Sequence, residues 1–245
     1  MSENLAIVLA AGKGTRMKSD LPKVLVKLAG RPMLEYVLDA LGRGGVARMI
    51  VVVGYRAEAV RAALDGRYDV QFVLQREQLG TGHAVMACRE FLQEHHGPVL
   101  VVAGDAPLMQ GGSIRALLEE FQRRPAACLL GTARTSNPAG LGRILRAPDG
   151  AFLGIVEHKD ASEEQRRIDE VNISYYVFNC QDLLAALDRV RSDNAQGEYY
   201  LTDCPGILLA QGKEIRAVNV LQSCEALSIN TMEELAAAEA VLEQT

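Results

Sequence analysis

Short apolar runs that alternate with helical patterns constrain the fold of this chain more than any other feature. The runs lie at Ala6–Ala11, Met49–Val53, Val70–Leu74, Val99–Ala103 and Cys128–Ala133. The helical patterns lie at Pro32–Leu41, Glu58–Leu64, Gly82–Leu92 and Ser113–Phe121. Continuous apolar runs are typical of strands that are buried on both faces, and strands that alternate with helices form largely parallel sheets. We therefore predict an α/β fold, with a mostly parallel sheet and helices on both faces.

The second half of the chain is less regular. Gly142–Arg146 and Phe152–Val156 flank a turn at residues 148–150 and predict a hairpin. Further strands are predicted at Val171–Asn179 and Ile215–Val220, and helices at Asp182–Arg191, Cys204–Gln211 and Thr231–Glu243. Because no linker or low-complexity tract divides the chain, we predict one domain over residues 1–245. No hexapeptide repeat is visible, so a left-handed β-helix domain is not expected.

Composition excludes several classes of partner. The formal net charge is −5 at pH 7, and the positive charge gathers in one loop, which argues against nucleic-acid binding. The five cysteines are scattered without a C-x-x-C pair, which indicates reduced thiols. No secretory leader precedes the first apolar run, and no run approaches the roughly 18 residues that a membrane helix needs. We expect a cytoplasmic protein with a small anionic ligand and no membrane partner.

The loop after the first apolar run has the composition of a polyphosphate-binding loop. Its small residues leave backbone N–H groups uncovered, so that an anion can approach them. Its basic residues are Lys13, Arg16, Lys18 and Lys23, against a single acid, Asp20. A dinucleotide-binding fingerprint would need glycine at Met17, and the spacing of a Walker A loop is absent. A merely solvated basic loop is the alternative interpretation.

Two further segments follow predicted strands on the same sheet edge. Asp105 follows a strand and a glycine, where a carboxylate can hold Mg²⁺, although an ordinary turn aspartate is the alternative. Gln75 offers a donor and an acceptor to the edge of a base, and Gly80 allows a flat ring to approach the backbone. The alternative here is a strand-to-helix turn with Thr81 as the helix cap. In the second half, Glu157 and Asn172 are suited to sugar hydroxyl groups.

These segments together resemble the sugar-phosphate nucleotidyltransferases. The matching stretches are residues 9–17 with 22–23, 75–83, 104–105, 142–143, 156–160, 194–203 and Asn230. Within that family the pattern is similar to the uridylyltransferase domain of bacterial N-acetylglucosamine-1-phosphate uridyltransferases. The resemblance implies a Rossmann-like mixed sheet and Mg²⁺-dependent, in-line attack of N-acetylglucosamine 1-phosphate on the α-phosphorus of UTP, with release of pyrophosphate. It implies no acetyl transfer without a β-helix domain.

The resemblance also implies a role for individual residues. The nucleotide would be bound by Leu9, Ala10, Ala11, Gly12, Gln75, Gly80 and Thr81. The triphosphate would be bound by the catalytic residues Arg16 and Lys23, Mg²⁺ by Asp105 and Asn230, and the sugar by Gly142, Glu157 and Asn172. Residues 1–135 would mainly bind the nucleotide and residues 136–230 mainly the sugar, with residues 231–245 as a C-terminal helix.

Three residues depart from the family pattern. Ala103 stands where tyrosine is usual before Gly-Asp, and Ile173–Ser174 stands where Thr-Gly is usual. All three lie on the side that the resemblance assigns to the sugar phosphate. Two alternative functions therefore stay open. One is nucleotidyl transfer to a different sugar 1-phosphate, and the other is a non-catalytic, nucleotide-binding regulatory subunit.

Overall fold

A nine-stranded mixed sheet forms the centre of the computed structural model, which describes residues 3–243 except 15–16, 18–19, 195 and 228. The strands of the described residues are β1 (Leu5–Ala10), β2 (Lys27–Leu28), β3 (Arg31–Pro32), β4 (Arg48–Val53), β5 (Gln71–Leu74), β6 (Pro98–Ala103), β7 (Cys128–Arg134), β8 (Gly142–Arg146), β9 (Phe152–Val156), β10 (Glu170–Asn179) and β11 (Ile215–Asn219). The main path of the sheet runs β11-β7-β10-β6-β1-β4-β5, with β8 and β9 extending from β10, while β2 and β3 form a separate small pair.

Strand direction divides the sheet into three parts. β6, β1, β4 and β5 are parallel neighbours, and β7 and β11 are parallel to each other. Between these two groups lies β10, which is antiparallel to both β6 and β7. The predicted mostly parallel sheet is confirmed, and the strands predicted from apolar runs agree with the observed ones to within one or two residues at each end.

Helices cover both faces of the sheet. The described α-helices are α1 (Met33–Arg43), α2 (Ala57–Leu64), α3 (Thr81–Met86), α4 (Arg89–Gln93), α5 (Gly111–Arg123), α6 (Glu163–Arg166), α7 (Cys180–Leu187), α8 (Asp203–Ala210) and α9 (Met232–Leu242), and short 3-10 helices lie at Lys23–Leu25 and Ser223–Ala226. None of these helices is long and apolar enough to cross a membrane. Alternate residues of β1 enter opposite cores, with Val8 on one face and Ile7 on the other, as expected for a strand buried on both sides.

Helix boundaries were the weakest sequence predictions. The pattern at 82–92 predicted one helix, but the structure has α3 and α4 with a break at residues 87–88. The pattern at Ser113–Phe121 predicts a helix that begins at Ser113, yet α5 begins at Gly111, with Gln110 as its N-cap. The Ser113 hydroxyl instead donates to the buried carboxylate of Glu225, at 2.6 Å. Ser113 thus lies inside the helix, and its side chain bonds a residue 112 positions away in the chain.

Candidate active site

Two adjoining cavities lie at the carboxyl ends of β1 and β6, where ligands bind in sheets of this type. Cavity 1, of about 360 Å³, contains all seven residues predicted to bind a nucleotide: Leu9, Ala10, Ala11, Gly12, Gln75, Gly80 and Thr81. Cavity 2, of about 230 Å³, contains the three predicted sugar residues: Gly142, Glu157 and Asn172. Both cavities are lined by Lys23, Ala103, Asp105 and Ser174. The shared wall is therefore where two ligands could meet.

Lys23 connects the two residues that were predicted to bind a metal. Its Nζ atom lies 2.5 Å from Oδ2 of Asp105 and donates to Oδ1 of Asn230 at 2.9 Å. The lysine side chain is only 13% exposed, so this ion pair is shielded from solvent more than an ordinary surface pair. One ammonium group thus joins the loop after β1, the end of β6 and the segment before α9.

Backbone contacts near Lys23, Asp105 and Asn230 fix the position of each of these residues. Gly14 has φ +67°, and a Cβ atom there would collide with Cβ of Lys23, so the loop can approach the lysine only with glycine at this position. The residue before Asp105 is Gly104, whose N–H donates to the carbonyl of Leu9 at 2.9 Å. Asn230 donates its N–H to Glu234, which also belongs to the capping box of α9.

The oxygen atoms of Asp105 and Asn230 fit a hard divalent cation. A carboxylate and an amide carbonyl oxygen converge on one positively charged atom, and oxygen is the donor that Mg²⁺ prefers. No group of three or more histidine, cysteine, aspartate or glutamate residues within the described ranges could hold a metal ion. This oxygen pair therefore suits an ion that keeps waters or ligand phosphates in its coordination shell.

The wall of cavity 1 depends on close contact between two distant segments. Gly82 donates its N–H to the Tyr199 carbonyl at 2.7 Å, and Tyr199 donates its N–H to the Leu79 carbonyl at 2.8 Å. Gly80 lies between these bonds with φ +108°, and a Cβ atom there would lie 2.5 Å from the Tyr199 oxygen. The hydroxyl of Thr81 accepts from the N–H of Leu201 at 3.0 Å. Thr81 as a helix cap was therefore wrong, because α3 is preceded by Gly80 and the Thr81 hydroxyl holds the other segment.

Gln75 lines cavity 1 but is only 3% exposed. Its amide nitrogen donates to the Gly80 carbonyl at 3.0 Å and lies 3.1 Å from Nδ1 of His83. The nitrogen is therefore engaged within its own loop, whereas the sequence analysis offered it to a base together with the oxygen. His83, in the first turn of α3, contributes to this loop contact.

Asn172 and Glu157 give cavity 2 its polar character. Asn172 accepts from the N–H of Ser174 at 3.3 Å and donates to the hydroxyl of Tyr176 at 2.7 Å. Burial raises the pKa of Glu157 above its usual value, and the nearby carboxylates Asp160 and Asp203 raise it further. A carboxyl group in this environment can donate as well as accept hydrogen bonds once it is protonated.

Four site residues either lie outside the described part of the chain or were not predicted from the sequence. Arg16 was predicted to act on phosphate, and it falls outside the described residues. Sequence reasoning missed Gln78 and Glu198 in cavity 1 and Glu225 in cavity 2. Gln78 lies within a segment that had already been singled out, so its position was the available signal. Glu198 also lies in a noted segment, residues 194–203, but its place in cavity 1 depends on the contact with residues 79–82, which local sequence does not reveal.

Comparison with known proteins adds independent information. Residues 6–199 match the model of the MobA-like NTP transferase domain. The chain is 46% identical over 242 residues to the bifunctional protein GlmU of Streptococcus suis, and 48% identical over 243 residues to that of Heliobacterium modesticaldum. Each alignment covers 99% of this chain and 52% or 53% of the relative, so the chain spans about half the length of these curated relatives. The resemblance predicted from the sequence is thus confirmed.

A solved structure shows the same fold. The crystal structure of a UDP-glucose pyrophosphorylase complexed with UDP-glucose superimposes with a TM-score of 0.79 at 15% sequence identity. The match covers 100% of this chain and 99% of that one. At this level of identity the likeness concerns the fold alone.

Proposed function

The chain belongs to the MobA-like NTP transferase domain family, and on that premise we propose that it transfers a uridylyl group from UTP to a sugar 1-phosphate. The products are a UDP-sugar and pyrophosphate. The observation that carries the proposal is the bridge from Lys23 to Asp105 and Asn230, because it lies in the wall between the two cavities. A cationic centre between a nucleotide site and an acceptor site is the arrangement that phosphoryl-group chemistry requires.

The proposed roles follow the two cavities. Cavity 1 holds the uridine, chiefly through backbone groups of the loop after β1 and through the segment around Gly80. Cavity 2 holds the sugar through Gly142, Glu157 and Asn172. The volume of cavity 1 exceeds that of cavity 2, which is consistent with a nucleotide in the first and a monosaccharide in the second.

Lys23 is the described residue best placed to stabilise the transition state. The acceptor phosphate is already anionic at neutral pH, so in-line attack on the α-phosphorus needs no general base. Charge gathers on the α-phosphoryl and leaving oxygens, and a positioned ammonium group with low exposure stabilises such charge. Arg16 is proposed to act on the same phosphates from the loop.

Asp105 and Asn230 are proposed to hold Mg²⁺. When bound, the ion would polarise phosphoryl oxygens and help to orient the substrate phosphates. Lys23 would then exchange its contact with Asp105 for one with a substrate phosphate. The lysine side chain has the flexible four-carbon stem that such an exchange needs.

N-acetylglucosamine 1-phosphate is the proposed acceptor. The support is the set of relatives named bifunctional protein GlmU, together with the sequence resemblance of the same segments. The main alternative is a different sugar 1-phosphate, because Ala103, Ile173 and Ser174 all line cavity 2. The three residues that depart from the family pattern thus all lie in the wall of cavity 2.

Pyrophosphate release tests the proposal directly. Purified protein with Mg²⁺ would be supplied with each of four NTPs and with N-acetylglucosamine 1-phosphate, glucose 1-phosphate or galactose 1-phosphate. We expect turnover with UTP and N-acetylglucosamine 1-phosphate, and loss of turnover in Lys23→Met. Turnover with glucose 1-phosphate alone would overturn the sugar assignment. No pyrophosphate with any pair would favour the regulatory subunit, which should still bind UTP in calorimetry.

A further inference from the structure

β10 carries an irregularity beside cavity 2. In its pairing with β7, Asn172 lies opposite Thr132 and Tyr175 lies opposite Gly131. The strand therefore advances three residues while its partner advances one, and Ile173 and Ser174 are the extra residues. Ser174 has φ +64°, a left-handed conformation that is uncommon for a residue with a side chain. Bulges of this kind redirect side chains and are frequent next to functional sites.

The bulge fixes the orientation of the Asn172 amide. A backbone N–H can only donate, so the Asn172 atom that faces the N–H of Ser174 must be the amide oxygen. The amide nitrogen then faces Tyr176, whose hydroxyl accepts from it at 2.7 Å. The two ends of the amide are thus held by different partners. A flipped amide would lose the hydrogen bond from the Ser174 N–H, because its nitrogen cannot accept one.

Tyr176 is a rigid partner for this amide. The residue is only 1% exposed, and its ring stacks on that of Phe178 with centroids 5.8 Å apart. Burial raises the pKa of the Tyr176 hydroxyl far above its usual value, so it stays protonated at any working pH. The hydroxyl therefore keeps the neutral form in which it accepts from the Asn172 amide.

We infer that Tyr176 is a positioning residue for the acceptor: its buried hydroxyl holds the Asn172 amide in the wall of cavity 2 and thereby sets affinity for the sugar 1-phosphate. This inference rests on the proposed function. Tyr176 lines neither cavity, so it acts through its hydrogen-bond partner Asn172. Its effect should fall on the acceptor and spare the nucleotide, since Asn172 lines cavity 2 alone.

The test is the kinetics of Tyr176→Phe, which keeps the ring and removes one oxygen atom. We expect KM for the sugar 1-phosphate to rise roughly threefold to tenfold, the range that one hydrogen bond covers, with KM for UTP unchanged. Tyr36→Phe is the matched control, because it also removes one hydroxyl hydrogen bond, to the Leu28 carbonyl at 2.8 Å, and does so away from both cavities. Equal changes for both substrates would overturn the inference, because a general loss of structure would produce them.

A double-mutant cycle separates positioning from simple packing. If Tyr176 acts through Asn172, the Tyr176→Phe change should alter acceptor KM by less than about twofold in an Asn172→Ala background. Full additivity of the two changes would refute the inference. Wild-type protein without turnover on any sugar phosphate would refute the proposed function instead, so the two failures are distinct.

A measurement on the unaltered protein covers the case in which Tyr176→Phe does not fold. In ¹⁵N-labelled wild-type protein, the side-chain amide hydrogens of Asn172 should exchange slowly with solvent. Exchange as fast as that of an exposed asparagine amide would show that the group is not held and would overturn the inference.

Discussion

Gly80→Ala is the substitution whose cost can be worked out most fully from the structure. Gly80 has φ +108° and ψ 175°, a region of backbone conformation that is essentially restricted to glycine and costs other residues roughly 1–3 kcal/mol. The added Cβ would also lie 2.5 Å from the Tyr199 oxygen and 2.9 Å from the Tyr199 nitrogen. Because both contacts are with backbone, no side-chain rotation can relieve them.

The added Cβ would displace the Tyr199 backbone, which makes two hydrogen bonds that close cavity 1. They join Gly82 to Tyr199 and Tyr199 to Leu79, and each contributes roughly 0.5–1.5 kcal/mol. The lower limits of the strain and of the two bonds together come to about 2 kcal/mol. If nucleotide binding requires the closed arrangement, a loss of about 2 kcal/mol from it should lower affinity for UTP by up to about thirtyfold.

Two assays and one control examine this reasoning. Calorimetric titration with UTP measures the affinity, and amide hydrogen exchange at Gly82 and Tyr199 measures the opening of the two segments. Gly206→Ala is the control, because this exposed glycine lies in α8 with no atom near the added Cβ, so alanine should stabilise by roughly 0.5–1 kcal/mol. UTP affinity within twofold of wild type, with protection unchanged at both amides, would refute the reasoning.

Further predictions concern single side chains of the site. Lys23→Met keeps the apolar stem and removes the charge, so kcat should fall roughly a hundredfold or more while the melting temperature changes little; an unchanged kcat would remove Lys23 from the mechanism. Arg16→Ala should lower kcat far more than it raises KM, as measured by pyrophosphate release, and the reverse pattern would argue for ground-state binding only. The pKa of Glu157 is raised in the folded protein, so ionisation of this carboxyl group lowers the free energy of unfolding as pH rises from about 4 through the raised pKa. The melting temperature of Glu157→Gln, measured relative to wild type, should therefore increase over this pH range and then level off. A difference that does not change with pH would contradict the burial argument. Ser174→Gly should relieve left-handed strain of about 1 kcal/mol and raise the melting temperature by about 2–4 °C, and a lower melting temperature would contradict it.

The central parallel strands β1, β4 and β6 were well predicted because most of their residues are buried on both faces of the sheet. Burial of this kind leaves a continuous apolar run, such as that of β6, which can be recognised without knowledge of its neighbours. The hairpin of β8 and β9 was also predicted with the observed bounds, since the turn residues at 148–150 mark it locally. What could not be predicted was strand order, because pairing depends on contacts between distant parts of the chain.

The candidate site shows the same difference between local features, which could be predicted, and long-range contacts, which could not. The resemblance to the family supplied the predicted ligands, and every described one of them lines one of the two cavities. Long-range features stayed hidden, namely the contact of Gly80 with Tyr199 and the bridge from Lys23 to Asn230 across 207 positions. The bulge at Ser174 was hidden as well, because a serine gives no local sign of a left-handed backbone.

The position of β10 in the sheet determines how this chain can be divided. β7 precedes the loop at residues 135–141, yet it lies beyond β10, which comes from the later part of the chain. A cut in that loop would leave an amino-terminal fragment in which β6 and β7 have no strand between them. The complementary fragment would hold β10 without either of its two long neighbours. Recovery of the protein from such fragments would therefore require both to be present during folding, with β10 inserting between strands of the other piece.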